Sequence, residues 1–145
     1  MQVRDIMTAN PACCTPDDAA QRAALLMRSL DVGAIPIVDG EETRRPVGIV
    51  TDRDLCCSVI ARGLDPTATP VRAVMTVEPI CCRPDDAVQA VVELMQAHQI
   101  RRVPVVDDAG TCCGIVAMAD LARKAPCQGE AAETIAEISQ PSRAA

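Results

Sequence analysis

The chain has 145 residues, 49% of them hydrophobic, enough to build a core for one domain or two intimate halves. It contains no Phe, Tyr or Trp and carries a formal net charge of −6. The core is therefore aliphatic, and the basic, aromatic-studded surfaces of nucleic-acid binders are excluded. No apolar run approaches membrane-spanning length and no apolar leader precedes Val3, which predicts a cytoplasmic protein with no membrane partner.

The chain is written twice. Val3-Arg4-Asp5-Ile6-Met7-Thr8 returns 68 residues on as Val71-Arg72-Ala73-Val74-Met75-Thr76, and Ile35-Pro36-Ile37-Val38-Asp39 returns as Val103-Pro104-Val105-Val106-Asp107. The offset falls to 66 where Gly48-Ile49-Val50 returns as Gly114-Ile115-Val116, placing a two-residue deletion in the turn before the last strand. Two copies are too few for a solenoid and predict two half-domains about a pseudo-twofold axis, with clefts between them. The boundaries fall at residues 1–66, 67–124 and a tail, 125–145.

In chain order, Ala12-Cys13-Cys14 reads as a short strand. Thr15-Pro16-Asp17-Asp18 reads as a helix start, with Thr15 as N-cap, Pro16 at N1 and acids at the positive end of the dipole. Ala20, Ala23, Ala24 and Met27 form its apolar face, repeated as Val88, Val91, Val92 and Met95. The runs Ala34 to Val38 and Pro46 to Val50 predict buried hairpin strands across the turn-rich Asp39-Gly40-Glu41-Glu42-Thr43. Their counterparts are Val103 to Val106 and Cys112 to Val116. A second helix is expected from Thr51 to near Arg62, stopped by Gly63. Residues 64–70 form the linker, and 131–138 a docking helix or part of a disordered tail.

Eight of the nine cysteines lie in adjacent pairs, Cys13-Cys14, Cys56-Cys57, Cys81-Cys82 and Cys112-Cys113; Cys127 stands alone. Adjacent strand residues face opposite ways, so such pairs are poor metal ligands. The expectation is a set of reduced, metal-free thiols serving as small buried hydrophobes. Thiol-based redox or metal response is the alternative. His98 has no partner at ligand or catalytic spacing, and there is no P-loop or dinucleotide fingerprint. No enzyme is expected.

The doubled V-R-x-x-M-T segment, the P-D-D-A helix start, I-P-I-V-D and the G-I-V-T-D-R-D-L stretch resemble the CBS domain. Residues 1–124 resemble a tandem pair, the Bateman module. The resemblance implies an α/β (α+β) fold of two β-α-β-β-α repeats. It implies adenosine-type ligands (AMP, ADP, ATP or S-adenosylmethionine) in clefts between repeats, and a homodimer forming a four-repeat disc.

The sharpest segment is Gly48-Ile49-Val50-Thr51-Asp52-Arg53-Asp54. Asp54 lies one helical turn beyond Thr51, where a carboxylate can accept from the cis-diol of a ribose. Gly48 is expected to let a ligand approach the backbone. Thr-x-x-Asp is also an N-cap with an acid at N3, useful to a helix for its own sake. In the second copy Ala117 replaces the threonine while Asp120 persists.

The resemblance groups Thr51 and Asp54 with Thr76, Pro79, Ile80, Arg101, Arg102 and Val103 in a first cleft. It groups Asp120 with Thr8, Pro11, Val32, Gly33 and Ala34 in a second. Arg101 and Arg102 suit phosphate; the alternative is solvated charge or an ion pair with Asp54. The functional expectation is a regulatory sensor of an adenine nucleotide, with no required cofactor and an unidentified regulated protein as partner. The alternatives are the thiol or metal reading and a structural dimerisation module.

Overall fold

The computed structural model describes residues 1–124; the expected helix at 131–138 lies outside them. The elements are α1 (Val3–Ile6), β1 (Thr8–Ala9), α2 (Ala20–Leu30), β2 (Ala34–Val38), β3 (Pro46–Thr51) and α3 (Asp52–Leu55), which continues as a π-helical turn over Cys56–Ile60. The second copy supplies a 3-10 turn (Val71–Ala73), β4 (Thr76–Val77), α4 (Val88–His98), β5 (Arg102–Val106), β6 (Cys112–Ala117) and α5 (Met118–Lys124). The mixed helix-and-sheet class is the expected one. Among the described residues there are two three-stranded sheets, ordered β2-β3-β4 and β1-β6-β5.

Two compact units result. One comprises Asn10–Pro79 with the Asp108–Cys112 turn; the other comprises Met1–Ala9, Ile80–Asp107 and, among the described residues, 113–124. The leading segment of each copy thus completes the unit built on the other copy. Val71 and Arg72 donate their amides to Asp18 O and Pro16 O at 2.8 and 3.0 Å. Val3 and Arg4 donate to Asp86 O and Pro84 O at 2.9 and 3.0 Å. Two ion pairs follow the same pattern, Arg72 with Asp17 and Arg4 with Asp85. All four side chains are more than half exposed, so each pair adds little stability, on the order of 0–1 kcal/mol.

This docking corrects the expected helix start. The carbonyls of Pro16 and Asp18 are committed to Arg72 and Val71, so Thr15–Asp18 forms a turn closed by Asp18 Oδ2 on the Thr15 amide at 2.8 Å. The helix begins at Ala20, whose N-cap Ala19 has no capping side chain. Its free amides are met by the linker instead: Ala20 donates to Thr69 O at 2.8 Å and Gln21 to Pro66 O at 3.1 Å. Ala24, expected on the apolar face, is exposed; Ala20, Ala23 and Met27 carry the contact.

The expected strand at Ala12–Cys14 is also corrected. Cys14 makes a single parallel bridge to Ile37, and Cys82 makes its equivalent to Val105. The first strand of each copy is the short Thr8–Ala9 or Thr76–Val77 segment, paired antiparallel with β6 or β3.

Each unit has its own aliphatic core. One gathers Ile35, Ile37, Val50, Val59, Val71, Ala23 and Met27; the other Val3, Ile6, Val91, Met95, Val103, Val105 and Val116. The adjacent cysteines split as alternation requires, with Cys14, Cys82 and Cys112 buried and Cys13, Cys81 and Cys113 half-buried. Cys56 and Cys57 are exposed on the π-helical turn, which removes them from the buried-hydrophobe reading.

Candidate functional site

In the first unit, β3 ends at Thr51, which lies opposite Ala34 on β2. The next residue, Asp52, donates its amide to Gly33 O at 3.0 Å, tying the start of α3 to the start of β2. Thr51 and Asp54 form a reciprocal capping box. The Asp54 amide donates to Thr51 Oγ1 at 3.2 Å, and the Thr51 amide donates to Asp54 Oδ2 at 2.9 Å. Both side chains are half-buried. Among the described residues Asp54 Oδ1 has no hydrogen-bond partner, so capping engages only one oxygen of the carboxylate.

The second unit repeats this arrangement with one group missing. The Ala117 amide donates to Asp120 Oδ2 at 2.8 Å, and the Met118 amide to Arg101 O at 2.9 Å. Ala117 returns nothing to the Asp120 amide, because it has no hydroxyl. Arg101 is exposed and Arg102 half-buried at the start of β5, and neither side chain forms an ion pair among the described residues.

The structure therefore brings Thr51, Asp54, Gly33 and Ala34 to one end of a sheet, with exposed Thr76 on the adjacent strand opposite Ile49. It brings Asp120, Arg101 and Arg102 together in the other unit, where exposed Thr8 lies opposite Ile115. Pro79 and Ile80 are half-buried and Val32 is exposed. Val103 is fully buried and Ala34 nearly so, which gives their side chains to packing. The Pro11 carbonyl is engaged by Arg44 and by the Cys13 thiol.

Packing also constrains Gly48. A Cβ there would stand 2.6 Å from Met75 Sδ and 2.9 Å from Thr76 O. Its repeat mate Gly114 would meet Met7 Sδ at 2.5 Å. Each glycine makes room for the methionine that immediately precedes the short strand beside it, so local packing requires it.

The sequence profile of the CBS domain matches residues 3–60 and again 71–126. The chain belongs to the CBS domain family. Two Bacillus subtilis proteins are similar to this CBS pair. Uncharacterized protein YlbB is 37% identical over 142 residues, 96% of this chain and 92% of the relative. CBS domain-containing protein YhcV is 41% identical over 120 residues, 83% and 82%.

Among solved structures, Hypoxic Response Protein I with two coordinated zinc ions is 35% identical with a TM-score of 0.76, covering 87% of this chain and all of that one. The CBS pair of MJ0100 in complex with 5-methylthioadenosine and S-adenosyl-L-methionine is 28% identical, TM-score 0.75, covering 85% and 94%. CBSX2 in complex with AMP is 26% identical, TM-score 0.70, covering 84% and 93%. The zinc belongs to the first of these; among the described residues here, no three His, Cys, Asp or Glu side chains converge as a metal site would require.

Proposed function

We propose that this CBS pair is a regulatory module that binds an adenosine-containing ligand, with Asp54 as the ribose-recognising carboxylate and Thr51 beside it. The observation that carries this reading is the division of labour on Asp54. Oδ2 holds the Thr51 amide and fixes the rotamer, while Oδ1 is left to accept from a diol. A carboxylate pinned in this way pays little rotamer entropy on binding. The similarity to CBS pairs solved with S-adenosyl-L-methionine, 5-methylthioadenosine and AMP supports the ligand class. Thr76 and Pro79, in the same unit, are proposed to complete the Asp54 site, and Arg101 and Arg102 to recognise a phosphate. Thr8 is proposed to line a second site at Asp120, in the same unit. No catalytic role is assigned to any of these residues.

Thermal unfolding with AMP, ADP, ATP, 5-methylthioadenosine and S-adenosylmethionine tests the reading, followed by circular dichroism because the chain has no aromatic fluorophore. A ligand at 100 times its Kd adds about 2.7 kcal/mol to stability. No shift with any of the five at millimolar concentration overturns it.

A further inference from the structure

Cys13 and Cys112 meet within the Asn10–Pro79 unit and its Asp108–Cys112 turn, where the Cys112 thiol donates a hydrogen bond to the Cys13 sulfur. Arg44 binds both partners. Its Nη2 donates to Cys13 Sγ at 3.4 Å and to Pro11 O at 3.0 Å, and its own carbonyl accepts the Cys112 amide at 2.8 Å. The Arg44 backbone is held in the left-handed region, φ 48°, by a turn in which its amide donates to Gly40 O at 3.0 Å. Arg44 Nε is buried and has no hydrogen-bond partner among the described residues, so a negative charge on the neighbouring sulfur relieves an uncompensated cation.

The surroundings act on the thiol accordingly. The hydrogen bond from Cys112 and the charge of Arg44 outweigh burial and bring Cys13 down to about 7 from the ordinary 9.0. Its repeat mate Cys81 is pushed up by burial, as are Cys14 and Cys113, while Cys82 is pushed up to about 12. The constellation belongs to one copy only: Pro46 stands where the repeat would match Cys112.

The geometry points to Cys13 and Cys112 as a redox-active dithiol that hydrogen peroxide converts to an intramolecular disulfide, with Cys13 attacking and Cys112 resolving. The Cys13 thiolate attacks one peroxide oxygen and the O–O bond breaks. Hydroxide leaves and is protonated to water, and Cys13 becomes a sulfenic acid. The Cys112 sulfur then attacks the Cys13 sulfur. The S–S bond forms, the S–O bond breaks, and the departing hydroxyl leaves as water with the Cys112 proton. Two thiols lose two electrons in all, and one peroxide becomes two waters. A small oxidant fits the access, because Cys13 is half-buried and Cys112 is only 2% exposed. This reaction does not depend on the nucleotide reading.

The test treats the reduced full chain with one equivalent of hydrogen peroxide, then maps its peptides without reduction. The expected product is two hydrogens lighter and cross-linked Cys13 to Cys112. Cys14→Ser and Cys113→Ser should keep the cross-link. Cys112→Ser should stop at a Cys13 sulfenic acid that dimedone captures. Alkylation of Cys13 in the untreated protein should be half-maximal near pH 7, and Arg44→Gln should move that midpoint toward 9. Oxidation falling first on the exposed Cys56 or Cys57, a cross-link surviving Cys13→Ser, or a Cys13 alkylation profile identical to that of Cys56 overturns the inference.

Discussion

Asp54 and Thr51 cap each other through two hydrogen bonds, 2.9 Å from the Thr51 amide to Asp54 Oδ2 and 3.2 Å from the Asp54 amide to Thr51 Oγ1. The same pair is both structural and available for binding, so a crude truncation confuses the two roles. Asp54→Ala removes the cap as well as the diol acceptor, and loss of a cap alone costs about 0.5–2 kcal/mol. Asp54→Asn is the cleaner probe. Its amide oxygen can still accept from Thr51, while its NH₂ meets a diol with donors instead of an acceptor. We expect the unliganded Asn variant to unfold within about 0.5 kcal/mol of wild type and to lose most of the ligand-induced shift. A variant that retains the full shift removes Asp54 from the ribose site.

The arginine pair predicts ligand discrimination. An arginine–phosphate hydrogen bond is charge-assisted, and losing one costs about 1.5–3 kcal/mol, roughly ten- to hundredfold in affinity. Arg102→Ala should weaken AMP by that factor and leave adenosine nearly unchanged, since adenosine has no phosphate to lose. Asp120→Ala should change the tighter binding event little. Titration calorimetry reads both. If Asp120→Ala abolishes binding while Asp54→Ala leaves it intact, the two sites are assigned the wrong way round.

The glycines of the two sheets should differ in their tolerance of a methyl group. At Gly48 the added Cβ meets Met75 Sδ at 2.6 Å and the Thr76 carbonyl at 2.9 Å; at Gly114 it meets Met7 Sδ at 2.5 Å, but the Thr8 carbonyl only at 3.3 Å. A methionine tip can swing aside, whereas a paired backbone carbonyl cannot. Gly48→Ala should therefore cost ~1–3 kcal/mol, the usual penalty of overpacking, and Gly114→Ala clearly less. Urea denaturation compares them; equal costs, or a larger one at Gly114, would show that the methionines and not the carbonyl set the limit.

The hairpin strands were legible because apolar runs bounded by turn residues leave little alternative: residues 34–38 form β2 as expected, and β3 extends its run by one residue to Thr51. The repeat also exposed the Thr51 and Asp54 pair. What the pattern hid was partnership. Pro16 and Asp18 look like a helix start in isolation, and only the arrival of Val71 and Arg72, more than fifty residues later, uses their carbonyls otherwise. Arg44 is hidden for the same reason. It lies in a polar turn, and nothing local to it signals that Cys13 and Cys112 converge on it.

The cysteines should shape the response of stability to alkali. The chain has no tyrosine and one lysine, Lys124, so thiols dominate its side-chain titration between neutrality and pH 11. Between about 7 and 9, folded Cys13 is a thiolate while its unfolded counterpart still holds a proton. The unfolded chain then binds more protons, and stability rises with pH across that window. Above 9 the sign reverses. Unfolded thiols ionise, whereas burial keeps Cys14, Cys81 and Cys113 protonated to higher pH and Cys82 to about 12, so the folded chain binds more protons and stability falls. Urea denaturation under reducing conditions from pH 6 to 11 should therefore show a maximum near pH 9. Cys13→Ser should flatten the rise below it, and Cys82→Ala should soften the fall above it. A wild-type profile that declines steadily from pH 7 would show that Cys13 does not hold its thiolate in the folded protein.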